Sequence, residues 1–173
     1  MDLRRVVTGN DESGQSIFIS DSIPYSYTYE HVPGFKTCLI WTHNRNNGSN
    51  HTETVSATSS LAPIKGETKL LIVDFPPDSI YANGNFDPEA AFNEQKEHLL
   101  GLFDHFEADN PGMHNTHTVD FGIILEGEIS LELDNNEVKI LKKGDYVIQQ
   151  ETRHAWRNHS ATFARLAFIL NGN

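Results

Sequence analysis

Three side chains in the C-terminal half carry the chemistry this sequence can offer: His114, Asp120 and His154. They fall in two clusters, Gly112-Met113-His114-Asn115-Thr116-His117-Thr118-Val119-Asp120-Phe121-Gly122 and Thr152-Arg153-His154-Ala155-Trp156-Arg157-Asn158. Side chains alternate faces along a strand, so Asp120, Gly122 and Ile124 share one face, and His154, Trp156 and Asn158 share another. If both strands turn those faces to one interior, Asp120 meets His154. His114 has the parity of Asp120, but six extended residues span about 20 Å. It joins them only if the chain turns in between, and Asn115-Thr116 is a suitable place. Two imidazoles and one carboxylate with open positions suit Fe(II), and equally Mn, Zn or Ni. Such a divalent metal would polarise an oxygen-bearing substrate, activate water or hold dioxygen. His117 is a further candidate ligand. Without a metal, a buried Asp–His pair can act as general acid and base. The competing reading is that histidines spaced like this simply sit on the surface.

Other residues are weighed against plainer roles. Trp156 shares the face of His154, where it lines a pocket for a planar ligand or is an ordinary core tryptophan. Trp41, Phe75 and Tyr81 complete the candidate substrate contacts. Phe75 and Tyr81 flank Pro76-Pro77, a pair that also serves simply to end a strand. Arg153 and Arg157 have the opposite parity to His154 and are expected outside, with Arg157 solvated. His43 and His51 are candidates to close over a site, because Asn44 to about Ser60 is rich in Asn, Ser, Thr, Gly and His and has the length of a mobile loop or lid. Cys38 is the sole cysteine and lies in the apolar run Cys38-Leu39-Ile40-Trp41, so it is expected as a packed strand residue.

These side chains need a sheet to position them. Ser16–Ser20, Thr37–Thr42 and Lys69–Phe75 have strand character in the first half. After Pro111-Gly112 short strands follow closely: Val119–Leu125, Ile129–Leu133, Val138–Leu141, Tyr146–Gln149, Thr152–Asn158 and Phe163–Leu170. Asp134-Asn135-Asn136-Glu137 and Lys142-Lys143-Gly144-Asp145 are turns between them. Such spacing predicts an all-β sandwich or barrel. One helix is expected from about Pro88 to Phe106, capped by Asp87, with Phe92, Leu99 and Phe103 as its apolar stripe packed on the outside of a sheet.

Bulk properties narrow the partners. The chain has 173 residues and a formal net charge of −11. That charge repels phosphate backbones and anionic lipid, so neither nucleic acid nor membrane is expected as a partner. The run after Arg4-Arg5 is polar, so no secretory signal is expected and the location is expected to be cytoplasmic.

The two clusters resemble the paired motifs of cupins, a first of the form G-x5-H-x-H-x3–4-E-x6-G and a second of the form G-x5-P-x-G-x2-H-x3-N. His114 takes the first histidine position, Asp120 the acidic one, and Gly127 closes the first motif. Gly144-Asp145 opens the second, with His154 and Asn158 at its end. Thr116 stands in place of the second histidine, Asp replaces Glu, and Gln149 and Glu151 replace the Pro and Gly. Over most of its length the chain is also similar to small single-domain cupins of microbes and fungi. Some of these lie in polyketide and other secondary-metabolite gene clusters and are loosely labelled oxidoreductases. Phe75-Pro76-Pro77-Asp78-Ser79 and the two clusters carry that likeness.

The resemblance implies one domain over residues 1–173, an all-β cupin jelly-roll barrel. Residues 1–110 would supply N-terminal strands, loop and helix, and 111–171 the motifs. It implies a homodimer formed through edge strands. It also implies a divalent metal on His114, Asp120 and His154, with His117 as possible helper, acting on a small oxygenated organic molecule. Oxygen-dependent oxidation is the first expectation. Metal-assisted isomerisation, dehydration or decarboxylation, or ligand binding without turnover, is the alternative, since fold alone does not select a reaction.

Overall fold

The computed structural model describes residues 3–44 and 55–173. The strands are β1 (Arg5–Asn10), β2 (Ser16–Ser22), β3 (Tyr27–Thr28), β4 (Lys36–Asn44), β5 (Glu67–Phe75), β6 (Thr118–Glu126), β7 (Glu128–Glu132), β8 (Val138–Lys142), β9 (Tyr146–Gln150), β10 (Ala155–Arg157) and β11 (Ala164–Gly172). The α-helix, α1, spans Pro88–His98, and short 3-10 turns occur at Asp78–Ala82, Phe103–His105 and Asp134–Asn136. Among the described residues, no helix is long and apolar enough to cross a membrane.

A six-stranded sheet in the order β3-β4-β5-β11-β6-β9 packs against a three-stranded sheet in the order β10-β7-β8. All pairings are antiparallel. The fold is the all-β architecture expected from the closely spaced strands. Alternation explains which face each strand buries. Thr118, Asp120, Gly122 and Ile124 of β6 are buried, while Phe121 among them and Leu125 just after them are exposed. Register sets Leu71, Phe168 and Gly122 in one cross-strand row. Above the row pack Ile129 of β7 and Trp156 of β10, so both sheets share one core. Each large apolar side chain removed from water here contributes about 1.5–3 kcal/mol.

The turns follow their local chemistry. Asn135 and Asn136 take φ of 57° and 58°, the left-handed region that Asn tolerates, and so close the β7–β8 hairpin. Gly127 turns β6 into β7 with φ of 77°, and a Cβ there would collide with the Phe163 carbonyl.

The helix is shorter than its apolar stripe predicts. Asp87 caps it by accepting from the Glu89 and Ala90 amides, both at 3.0 Å. It ends at His98 because Leu99 leaves helical geometry with ψ of 48° and Gly101 follows in the left-handed region. Phe92 still meets Phe103, at 5.0 Å between ring centroids, but across this break. The helix is fastened through Glu94, whose buried carboxylate accepts from the Glu30 and His31 amides at 2.7 and 2.8 Å and from the Tyr27 hydroxyl at 3.1 Å.

The outer face of the larger sheet has its own small cluster of Cys38, Ile72 and Ala167 under Leu3, Ile40 and Ile123. Next to it, register partners Arg165 and Asp74 form a two-pronged ion pair, both bonds 2.6 Å, with side chains only 10% and 12% exposed. Removing one partner of a buried pair strands the other charge. Arg165→Ala is therefore expected to lower the unfolding free energy by about 3 kcal/mol in urea titrations. The double change Arg165→Met with Asp74→Leu is expected to recover most of that loss.

Candidate active site

The space between the sheets is not filled. A cavity of about 790 Å3 remains, floored by both sheets and covered on one side by Phe92, Gln95 and Leu99 from α1 and the segment after it, with Phe103 and Phe106. So α1 does more than pack on a sheet: one face of it forms the cavity wall.

His114, Asp120 and His154 all line this cavity. Backbone geometry brings the two imidazoles together. His114 and His154 form an antiparallel bridge in which each backbone amide donates to the other's carbonyl, both at 2.9 Å. The chain bends between His114 and Asp120 at His117, not at the expected Asn115-Thr116, and Asn115 Nδ2 donates to the Glu151 carbonyl at 3.0 Å. The ring centroids of His114 and His154 lie 4.2 Å apart.

Each ring is held the same way. Nδ1 of His114 lies 3.0 Å from the Gly112 carbonyl, and Nδ1 of His154 lies 2.8 Å from the Thr152 carbonyl. A carbonyl oxygen only accepts, so each Nδ1 carries the proton and each Nε2 keeps a lone pair. Burial lowers the pKa of both rings. It is the main cause at His114, and at His154 burial together with the neighbouring His114 brings the value down to about 4. Both are neutral at pH 7.

Asp120 is the third group. Burial pushes its carboxyl up to about 6, opposed by a hydrogen bond from Thr118. A short hydroxyl chain supports it: Thr116 Oγ1 lies 2.7 Å from Thr118 Oγ1, which donates to Asp120 Oδ2 at 3.1 Å. Oδ1 of Asp120 and Nε2 of Gln149 are buried with no hydrogen-bond partner. Thr116, Thr118 and Gln149 all line the cavity.

Much of the rest of the wall is aromatic, with Leu71, Val73, Leu99 and Leu170 between the rings. Ring contacts run from Phe106 to His114 (4.8 Å), His154 to Trp156 (6.1 Å), Trp156 to Phe168 (5.5 Å), Phe168 to Phe75 (6.5 Å) and Phe75 to Phe35 (5.9 Å). Trp156, Phe75 and Tyr81, three of the expected substrate contacts, line the cavity. Trp41 does not. A bulge between Leu39 and Trp41 pairs Trp41 with Leu70. Leu70 alternates with inward Leu71, so the bulge turns Trp41 to the outer face.

His117 is also placed elsewhere. It lies between inward Thr116 and Thr118, so its side chain points out, 88% exposed and 3.5 Å from Glu151. Arg157 differs from the solvated arginine expected. It bonds Glu132 at 2.8 Å, the Pro111 carbonyl at 2.6 Å and Asn110 at 3.1 Å, and it borders the cavity. Arg153 pairs with Glu107 through two 2.6 Å bonds and with Asp134 at 2.7 Å. His43 is exposed, while His51 and the 45–54 stretch of the expected loop lie outside the described residues.

Two free Nε2 lone pairs and one unpartnered carboxyl oxygen are the right donor types for a divalent metal. Among the described residues, however, no three His, Cys, Asp or Glu side chains come together as a metal-holding group. The arrangement does not fit a three-ligand centre as it stands.

Two sheets closing over a polar cluster carried by two motif segments define the class of protein. The chain belongs to the cupin family. Residues 107–170 match the family described as Cupin domain. Oryzines biosynthesis cluster protein J of Aspergillus oryzae is 35% identical over 125 residues, which cover 62% of this chain and 69% of that protein. Phomopsin biosynthesis cluster protein D of Diaporthe leptostromiformis is 30% identical over 169 residues, covering 95% of this chain and 76% of that one. Cupin-domain-containing oxidoreductase fogC of Aspergillus ruber is 24% identical, covering 96% of this chain and 70% of that one.

The buried carboxyl makes a checkable prediction about stability. The folded chain holds the Asp120 proton up to about pH 6, whereas the ordinary value is 3.8. The folded state thus binds more protons in that window, and stability falls as pH rises through it. Asp120→Asn removes this cost. Relative to wild type, the variant is expected to melt higher at pH 8 and to lose that advantage at pH 4, measured by calorimetry.

Proposed function

We propose that this protein is an enzyme that moves protons on a small, largely apolar, oxygen-bearing molecule held in the cavity. One observation carries the reading: two imidazoles with Nε2 lone pairs and a carboxyl with one unpartnered oxygen line the same cavity, whose wall is otherwise largely aromatic and aliphatic. An Nε2 lone pair takes a proton from carbon next to a carbonyl. Asp120, whose carboxyl sits at about 6, delivers one to the carbonyl oxygen and gives the enol. Returning a proton to a different carbon isomerises the substrate. Expelling a hydroxyl from the next carbon, with a proton, dehydrates it and releases water. The apolar walls exclude water and strengthen both transfers.

A second reading is metal-dependent oxidation. It is favoured by the carbonyl-anchored Nδ1 atoms, which leave both Nε2 atoms available as ligands, and by the word oxidoreductase in the name of the Aspergillus ruber relative. Here the Nε2 atoms of His114 and His154 would hold a divalent ion, which would supply the redox chemistry.

Deuterium uptake from D2O into the enolisable apolar ketone 2-tetralone separates these readings. Proton transfer predicts exchange by the metal-stripped protein well above the buffer rate. His154→Gln should lower it by about 100-fold or more. The rate should follow a bell with limbs near pH 4, where His154 becomes protonated, and near pH 6, where Asp120 ionises. Exchange equal to buffer in the stripped protein, with near-stoichiometric metal in the untreated protein that His154→Ala loses, would replace this reading with the second.

A further inference from the structure

Asp120 of β6 and Gln149 of β9 are direct register partners. Both are buried, at 5% and 4% exposure, and both line the cavity. Partners at such a position have side chains on one face within about 5 Å at Cβ. Yet they do not bond each other: Asp120 Oδ1 and Gln149 Nε2 each lack a partner. Their other atoms are fixed. Thr118 donates to Asp120 Oδ2, and Thr152 Oγ1 donates to Gln149 Oε1 at 2.6 Å, which leaves the amide nitrogen as the free end. Buried polar atoms are nearly always paired, and two orphans side by side call for a shared partner.

We propose that Asp120 and Gln149 form a hydroxyl-selective subsite, which anchors an alcohol, phenol or enol O–H of the ligand by a hydrogen bond to each side chain. This deepens the proposed function, since it rests on Asp120 facing the substrate. A hydroxyl accepts from the Gln149 N–H while it donates to the Asp120 carboxylate, or accepts from that carboxyl when protonated. A carbonyl oxygen leaves an ionised Asp120 unpaired. A methyl ether leaves it unpaired too and adds a methyl group against it. Leaving one buried polar group unsatisfied costs enough to be seen as about tenfold or more in affinity. Phe168 leans across Gly122 next to this pair, where a Cβ would sit 3.6 Å from its ring, so the subsite adjoins a flat apolar wall. The ligand class is therefore a hydroxylated, planar apolar molecule. Thr152 is a positioning residue that acts through the Gln149 amide.

The matched probes 2-naphthol and 2-methoxynaphthalene test this by titration calorimetry on the full chain. Wild type should bind the naphthol at least tenfold more tightly than its methyl ether. Asp120→Leu should bring the two affinities within about twofold, and Gln149→Met should weaken both, since either oxygen accepts from the Gln149 amide. Thr152→Val should weaken binding of both probes as Gln149→Met does and Thr152→Ser should restore it, a pattern that general loosening of the fold does not produce. Circular-dichroism melts identify any variant that fails to fold, and Thr152→Val then carries the test. Equal binding of both probes by wild type, a preference that Asp120→Leu leaves unchanged, or affinities that Gln149→Met and Thr152→Val leave unchanged, overturns the subsite but not the cavity. Failure of both probes to bind overturns the subsite and the cavity reading together.

Discussion

The site depends on one backbone interaction, the reciprocal pair of hydrogen bonds between His114 and His154. It joins the segment before β6 to the segment before β10, which are forty residues apart in the chain. Two such bonds fix distance and orientation together, and each ring is then held by a carbonyl two residues upstream. Ring placement therefore follows from main-chain geometry and needs little help from side-chain packing. The flanks are fastened to keep that geometry. Glu151 takes a left-handed φ of 53°, uncommon for a residue with a side chain, and its carbonyl accepts from Asn115. Arg153 ties the second segment to Glu107, and Arg157 ties it to Asn110 and Pro111 just ahead of His114. Those two arginines point away from the imidazoles, and that is how they brace them.

Asn158 does similar work at the far end of β10. It is 1% exposed, and its amide donates to the Phe75 and Thr162 carbonyls at 2.9 and 2.8 Å. Its oxygen accepts from the Ser160 amide and hydroxyl. One side chain thus closes the turn into β11 and pins it to the end of β5, the strand that brings Phe75 to the cavity. The aromatic wall and the histidine pair are fixed from opposite ends of the same short strand.

How far the sequence reveals this depends on what each feature requires. Alternation marks the long central strands, because one face is buried and the other is not. It misses β1, and β3 is only two residues long. Parity puts Asp120 and His154 on inward faces, and the need for a turn after His114 follows from chain length. Parity fails at Trp41, where one extra residue in β4 reverses every side chain beyond it. It would have excluded His117, since Thr116 and Thr118 share the face of Asp120. The apolar stripe of the helix is a true contact in Phe92 and Phe103, but a stripe does not show whether the helix is continuous between them. Gln149 becomes visible only once register is known: nothing local to Tyr146–Gln150 says that its partner is Asp120. The hydroxyls of Thr116 and Thr118 were equally hidden, because threonine in a strand is ordinary until its neighbour proves to be a buried carboxyl.

The cavity itself argues for use. A barrel selected for stability alone would fill the space with apolar side chains, since unfilled volume forfeits packing and unpartnered polar atoms forfeit hydration. This chain keeps both. The cost also depends on pH in opposite directions. The His154 imidazole, held below its ordinary value, loses stability as pH falls from 6.5 towards 4, whereas Asp120 loses it as pH rises from 3.8 towards 6. No single pH relieves both. Under the proposed proton transfer they would serve as a base with its lone pair free and an acid able to hold its proton, both lining one cavity. The ion pair of Arg165 with Asp74 and the packed outer cluster lie on the other side of the same sheet, where the fold can be held firmly without filling the cavity.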